Sequence, residues 1–143
     1  MFLSSVYNAK TAGGPIMKTL ARIGVVCWMA ALFAVSPAMA GGLTTIDGTQ
    51  LEALMADGRG LVIVDVREPD LFAAGHIRGA INIPYDDAKP RIVKELLPTD
   101  RIVFVCHGGP MGDELGHLLA EQGYPAVYNL KGGMKKWKGN VVQ

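Results

Sequence analysis

The sequence predicts an α/β protein built on a parallel sheet with helices on both faces. Short apolar strands alternate with helical stretches along the chain, the pattern that folds into βαβ units. Leu61-Val62-Ile63-Val64-Asp65-Val66 is an almost unbroken apolar run, and Arg101-Ile102-Val103-Phe104-Val105 is another, as expected of strands covered on two sides. The connections between elements are short, which suits right-handed crossovers.

The elements follow in order. Residues 44–46 form a short first strand. Residues 49–55 read as a helix with Leu51, Leu54 and Met55 on one face, stopped near Gly58. After the strand at 61–66, residues 69–74 form a short helix with Pro69 in its first turn and Gly75 behind it. Residues 80–83 form a strand closed by Pro84, and residues 90–97 a helix ended by Pro98. The strand at 101–105 leads through a Gly-rich turn into a helix over 113–122, with Leu115, Leu118 and Leu119 inward and Gly123 as its stop. Residues 126–129 are read as the last strand, and residues 133–137 as a final short helix whose Met134 and Trp137 pack on the sheet.

The first 40 of the 143 residues read differently. Lys18 and Arg22 precede an uncharged apolar run, Ile23 to Val35, and Ala38-Met39-Ala40 ends the segment. This is the layout of a secretory signal peptide over 17–40, cleaved after Ala40, with residues before Met17 an upstream extension. Retention as an anchor is the alternative, since the uncharged stretch continues to Ile46 and would span a bilayer; Pro37, Gly41 and Gly42 weaken it. Membrane association is expected only if the signal is kept, and the expected location is periplasmic or secreted.

The remaining chain, 41–143, is large enough for one domain with a modest core. Loss of Lys10, Lys18 and Arg22 takes the formal charge from +1 to −2, which does not suggest a nucleic-acid binder. Lys131, Lys135, Lys136 and Lys138 cluster late; a solvated helix face is the preferred reading, attraction of an anionic substrate the other. A monomer is the expected state.

Cys27 falls in the discarded segment, so the exported domain retains Cys106 alone and forms no internal disulfide. A lone cysteine is ordinarily a small buried hydrophobe. Its setting argues for more: Cys106 ends a strand, His107-Gly108-Gly109-Pro110-Met111-Gly112 follows, and then a helix. Backbone N–H groups and the helix dipole favour negative charge there, and the thiolate is the nucleophilic form. An ordinary thiol is only about 3% ionised at pH 7, and two units of lowering require about 2.7 kcal/mol. A partly buried helix terminus supplies up to about 2 kcal/mol; inward-facing amides supply the rest, and glycines permit that approach.

His107 adjoins the cysteine as a possible base or imidazolium, although a solvent-facing loop histidine is the preferred reading. His76 is assigned a structural hydrogen bond and His117 an exposed flank; one cysteine and three scattered histidines define no metal site. No cofactor is expected. Asp65 and Arg67 alternate along an extended backbone and point the same way, as a structural ion pair or, for Arg67, as a cation near the site.

Several segments together resemble the rhodanese-like domain family: Leu61 to Glu68, an apolar strand into Asp65-Val66-Arg67-Glu68; Gly75-His76-Ile77-Arg78-Gly79-Ala80-Ile81-Asn82-Ile83-Pro84; the cysteine loop; and Gly123 to Trp137 with Tyr128-Asn129-Leu130-Lys131-Gly132-Gly133. They occur in the family's order over nearly all of 41–143. The overall form is similar to the small exported single-domain members, the phage-shock periplasmic rhodanese among them. The resemblance implies a parallel five-stranded sheet flanked by helices and a sulfurtransferase that works in two steps. A thiolate takes the outer sulfur of a small anionic donor such as thiosulfate, a polysulfide or a persulfide. A thiophilic acceptor, cyanide or a thiol, then removes it. Cys106 matches the persulfide-carrying residue, and His107, Gly108, Gly109, Met111 and Gly112 match the substrate-binding loop, with Arg67 as a further candidate cation. Pro110 has no N–H to offer. Met111 stands where many active members carry an arginine, which weighs against efficient thiosulfate use and leaves persulfide chemistry in place. A non-catalytic module that binds a partner or senses redox state is the alternative. Phosphate-ester hydrolysis, the work of relatives with a longer, arginine-closed loop, is not expected.

Overall fold

The computed structural model describes residues 41–143; the predicted signal peptide, its cleavage site and the upstream extension lie outside the described residues. Five strands, β1 (Leu43–Ile46), β2 (Leu61–Asp65), β4 (Ile81–Asn82), β5 (Arg101–Val105) and β6 (Val127–Leu130), form one sheet in the order β1-β6-β5-β2-β4. Every pairing in it is parallel, and the register aligns Asp65 with Val105 and Phe104 with Asn129. Helices α1 (Gly48–Ala56), α2 (Pro69–Ala74), α3 (Tyr85–Glu95), α4 (Pro110–Glu121) and α5 (Gly133–Lys136) connect them.

Alternation along β5 sorts the core into two layers. Ile102, Phe104 and Cys106 face one way and pack with Ile92 of α3 and Leu115 and Leu119 of α4. Val103 and Val105 face the other way, with Leu51 of α1 and Leu130, and with Met134 and Trp137 along the edge. The sheet is therefore covered on both faces, as the apolar runs predict. Among the described residues no helix is long and apolar enough to cross a membrane.

Four expectations are corrected. Helix α3 begins at Tyr85 rather than Pro90: Pro84 turns the chain, Asp86 and Asp87 suit the positive end of the first turn, and Pro90 is absorbed inside the helix at the loss of one backbone bond. Helix α4 begins at Pro110 rather than Asp113, because proline is pre-shaped for a first helical position; Met111 and Gly112 thus belong to the helix. The strand β6 is not the last, since β7 (Val141–Val142) pairs antiparallel with β3 (His76–Ile77). Two-residue strands carry too little periodicity to be read from sequence. Finally, Met55 is exposed while Leu51 is fully buried: the two share a face, but Met55 stands one turn further along, in the last turn of α1. Asp47 caps α1 through a reciprocal capping box with Gln50, both bonds 2.9 Å.

Candidate active site

The carboxyl ends of the parallel strands are where an α/β sheet of this kind binds ligands. β5 ends there at Val105, whose carbonyl accepts from the Val66 N–H at 2.9 Å. The next residue, Cys106, turns its side chain into the α3–α4 layer, where it is 1% exposed. His107 and Gly108 are exposed, and Gly109 folds back over the sulfur with φ 123°, a conformation open to glycine and strained for other residues. From there the Gly109 N–H donates to Cys106 Sγ at 2.8 Å. The sequence suggests a ring of amides at an open lip. The structure instead shows one amide on a sulfur closed under its loop, because strand alternation sends Cys106 inward with Phe104.

His107 is solvent-facing. His76 is held structurally: its Nδ1 lies 2.9 Å from the Phe72 carbonyl and its ring stacks on Phe72 at 3.7 Å. His117 is exposed on α4. Gly112 is buried, and a Cβ there would stand 2.1 Å from Asn129 Oδ1; its role is to let Asn129 lie against the first turn of α4. The structure does not bring Arg67 to the loop. Arg67 lies on the opposite face from Cys106 by alternation, and its guanidinium bonds Asp65 at 2.6–3.1 Å and the Gly75 carbonyl at 2.8 Å. Asn82 ties the same strand end by donating to the Asp65 and Arg67 carbonyls, both at 2.9 Å. Lys131, Lys135, Lys136 and Lys138 are all exposed.

A cavity of about 370 Å³ opens between the residues that follow β2, the start of α3 and the first turn of α4. Val66, which belongs to the same core layer as Cys106, lines it together with Tyr85 and Met111; Glu68, Asp86 and Asp87 supply its charge, and among the described residues no lysine or arginine reaches it. The nearest cation on α3, Lys89, is paired with Glu114 at 2.6 Å, and Tyr85 donates its hydroxyl to the same carboxylate. Lys89 and Tyr85 together hold Glu114 below the usual carboxylate range, and Glu114 in turn raises both partners above theirs. The cavity is therefore acid-rimmed, with apolar walls at Val66, Pro69, Pro84 and Met111. Its three carboxylates escaped sequence reasoning because they come from the turn after β2 and the first turn of α3, which only the sheet order makes neighbours.

Asn129 also went unassigned. It is 1% exposed at the end of β6, and its Nδ2 donates to the Gly109 carbonyl at 3.0 Å and to Asp113 Oδ1 at 2.7 Å. A polar residue ending a β-strand just before Gly132-Gly133 was the available signal.

A family model described as the rhodanese-like domain matches residues 47–140. The Bacillus subtilis (strain 168) protein YqhL, described as uncharacterized, is 40% identical over 91 residues, 63% of this chain and 71% of that protein. The thiosulfate sulfurtransferase GlpE of Pseudomonas entomophila (strain L48) is 33% identical over 87 residues, 61% of this chain and 79% of its own length. Among solved structures, the rhodanese-like domain of the Anabaena protein Alr3790 matches with a TM-score of 0.61 and 27% identity, over 68% of this chain and 77% of that one.

Proposed function

Because the chain belongs to the rhodanese-like domain family, we propose that it is a sulfurtransferase carrying sulfane sulfur as a persulfide on Cys106. The observation that carries this reading is the Gly109 amide on Sγ, at the junction of a parallel strand and a helix N-terminus. Amide and helix dipole both favour the anionic forms of the cycle, thiolate and persulfide. The likeness to a thiosulfate sulfurtransferase supports it further.

In the first half-reaction the Cys106 thiolate attacks the outer sulfur of the donor. A new S–S bond forms, the donor's own bond to that sulfur breaks, and the leaving group departs with the electron pair: sulfite from thiosulfate, a thiolate from a persulfide. In the second, a thiolate or cyanide attacks the outer sulfur of Cys106–S–S⁻, giving a new persulfide or thiocyanate and restoring the cysteine thiolate. No external oxidant or reductant enters. Since Cys106 is 1% exposed, the donor reaches it as the 107–109 loop shifts. Glu68, Asp86 and Asp87 around the adjoining cavity repel a dianion more than a neutral or singly charged group, so persulfides of low charge are the favoured donors and thiosulfate a poorer one.

Incubation with a donor is expected to add one sulfur to the mass of the protein at Cys106, removable by cyanide, and Cys106→Ser is expected to abolish it. Full transfer by Cys106→Ser would refute the assignment. The buried sulfur also favours a second reading, a binding or redox-sensing module without turnover; absence of transfer from thiosulfate, polysulfide and glutathione persulfide alike would establish it. Export by the 17–40 signal belongs to the same proposal, and is tested by sequencing the mature N-terminus for a start at Gly41.

A further inference from the structure

We propose that residues 129–135 are an external clamp on the cysteine loop, with Asn129 as the positioning residue that keeps the Gly109 amide on the sulfur. The proposal deepens the persulfide reading of Cys106 and rests on it.

Three loop carbonyls are held from outside. The Cys106 carbonyl accepts from the Met134 N–H at 2.8 Å, and the His107 carbonyl from the Lys135 N–H at 3.2 Å. The Gly109 carbonyl accepts twice, from the Asp113 N–H at 3.1 Å and from Asn129 Nδ2 at 3.0 Å. The Gly109 N–H belongs to the 108–109 peptide, and the peptides on either side of it are pinned, 107–108 through the His107 carbonyl and 109–110 through the Gly109 carbonyl; held between them, it has little freedom to rotate and remains aimed at Sγ. The clamp seats closely: a Cβ on Gly133 would come within 2.1 Å of the Cys106 carbonyl oxygen, and Gly133 has φ 52°.

Asn129 is suited to this by its donor count. Both hydrogens of Nδ2 are used, one on Gly109 and one on Asp113. Turning the amide over would set its oxygen against a carbonyl and a carboxylate, so its orientation is forced. The consequence is an orphan: Asn129 Oδ1 is buried with no hydrogen-bond partner, lying where a side chain on Gly112 would be. An unpaired buried acceptor is rare, and an apolar residue at the end of β6 would avoid it. Holding the loop is what the amide does that an apolar side chain would not.

Asn82 offers a matched control, because it too donates to two backbone carbonyls at a strand end, but on the β2 side, away from the cysteine loop. The test compares Asn129→Ser with Asn82→Ser by the pH dependence of Cys106 alkylation, alongside thermal stability. Asn129→Ser is expected to move the midpoint of the alkylation profile up by about one unit, which slows alkylation below the midpoint about tenfold. Asn82→Ser is expected to lower the melting temperature and leave the midpoint in place. The midpoint, rather than the high-pH plateau, is the readout, since a merely looser loop raises the plateau. A profile of Asn129→Ser that coincides with the parent, or an equal shift in both variants, overturns the proposal. Should Asn129→Ser not fold, Gly112→Ala displaces the same amide without changing charge; an upward midpoint supports the clamp and an unmoved one overturns it. Failure of the parent to gain sulfur from any donor would strike the persulfide reading alone, as the alkylation comparison needs no transfer.

Discussion

Cys106 and the glycines around it show how a site is built from what single residues lack. Gly109 supplies a positive φ that turns its amide onto the sulfur, and Gly133 supplies an absent Cβ that lets α5 approach the loop backbone. Gly133→Ala adds about 1–3 kcal/mol of backbone strain on top of the contact with the Cys106 carbonyl. It is expected to lower the melting temperature and, among molecules that remain folded, to slow sulfur uptake; denaturant unfolding and single-turnover persulfide formation measure the two effects. The glycine pairs are visible in the sequence, and the turn of the Gly109 amide onto the sulfur is not: φ values depend on where the following helix starts, and that start, at Pro110, follows from proline's fixed φ rather than from hydrophobic spacing.

At the scale of elements, the end of β2 is fastened by a buried ion pair. Arg67 and Asp65 are 8% and 1% exposed in their side chains, and Arg67 extends on to Gly75 behind α2, so the pair joins the strand to the α2–β3 turn. Removing one partner leaves the other charge buried, and Asp65→Ala is expected to cost about 3–5 kcal/mol in denaturant unfolding. Arg67→Ala is expected to lose stability while leaving the KM for thiosulfate unchanged in the folded fraction; a raised KM would return Arg67 to the donor site. Helix α4 is fastened by Leu115 and Leu119, both fully buried, and Leu115→Ala is expected to cost about 2–5 kcal/mol. The period of those leucines made α4 legible in the sequence. The ion pair was legible too, from the alternation of Asp65 and Arg67, but not its separation from the cysteine loop, because the two faces of a strand end are told apart only once its neighbours are in place.

For the whole molecule, the acid limb of stability belongs to carboxylates at the sheet's other end and along its helices. The Arg101 side chain and the Arg59 backbone hold Asp57 well below the usual carboxylate range, and Arg91 lowers Glu95 as Lys89 lowers Glu114. A carboxylate lowered in the folded state contributes stability that is complete at neutral pH and is lost as the pH falls through its folded value. The melting temperature is therefore expected to fall between about pH 5 and pH 2, and Asp57→Asn to be less stable at pH 7 with a shallower fall; thermal scans across that range check both. The amino-acid sequence alone determined the alternation of strands and helices, the two-faced burial of β2 and β5, and the position of one cysteine between a strand and a glycine turn, because these are local patterns of apolar spacing and backbone freedom. The packing of the folded chain settles what those patterns leave open: Cys106 lies closed beneath its loop, Arg67 is engaged with Asp65 and Gly75, and Asn129, 23 residues further along the chain, holds Gly109. The sheet order β1-β6-β5-β2-β4 places β6 beside β5 and so brings Asn129 to the loop, and contacts between segments so distant in sequence leave no periodicity for a reader of the chain to find.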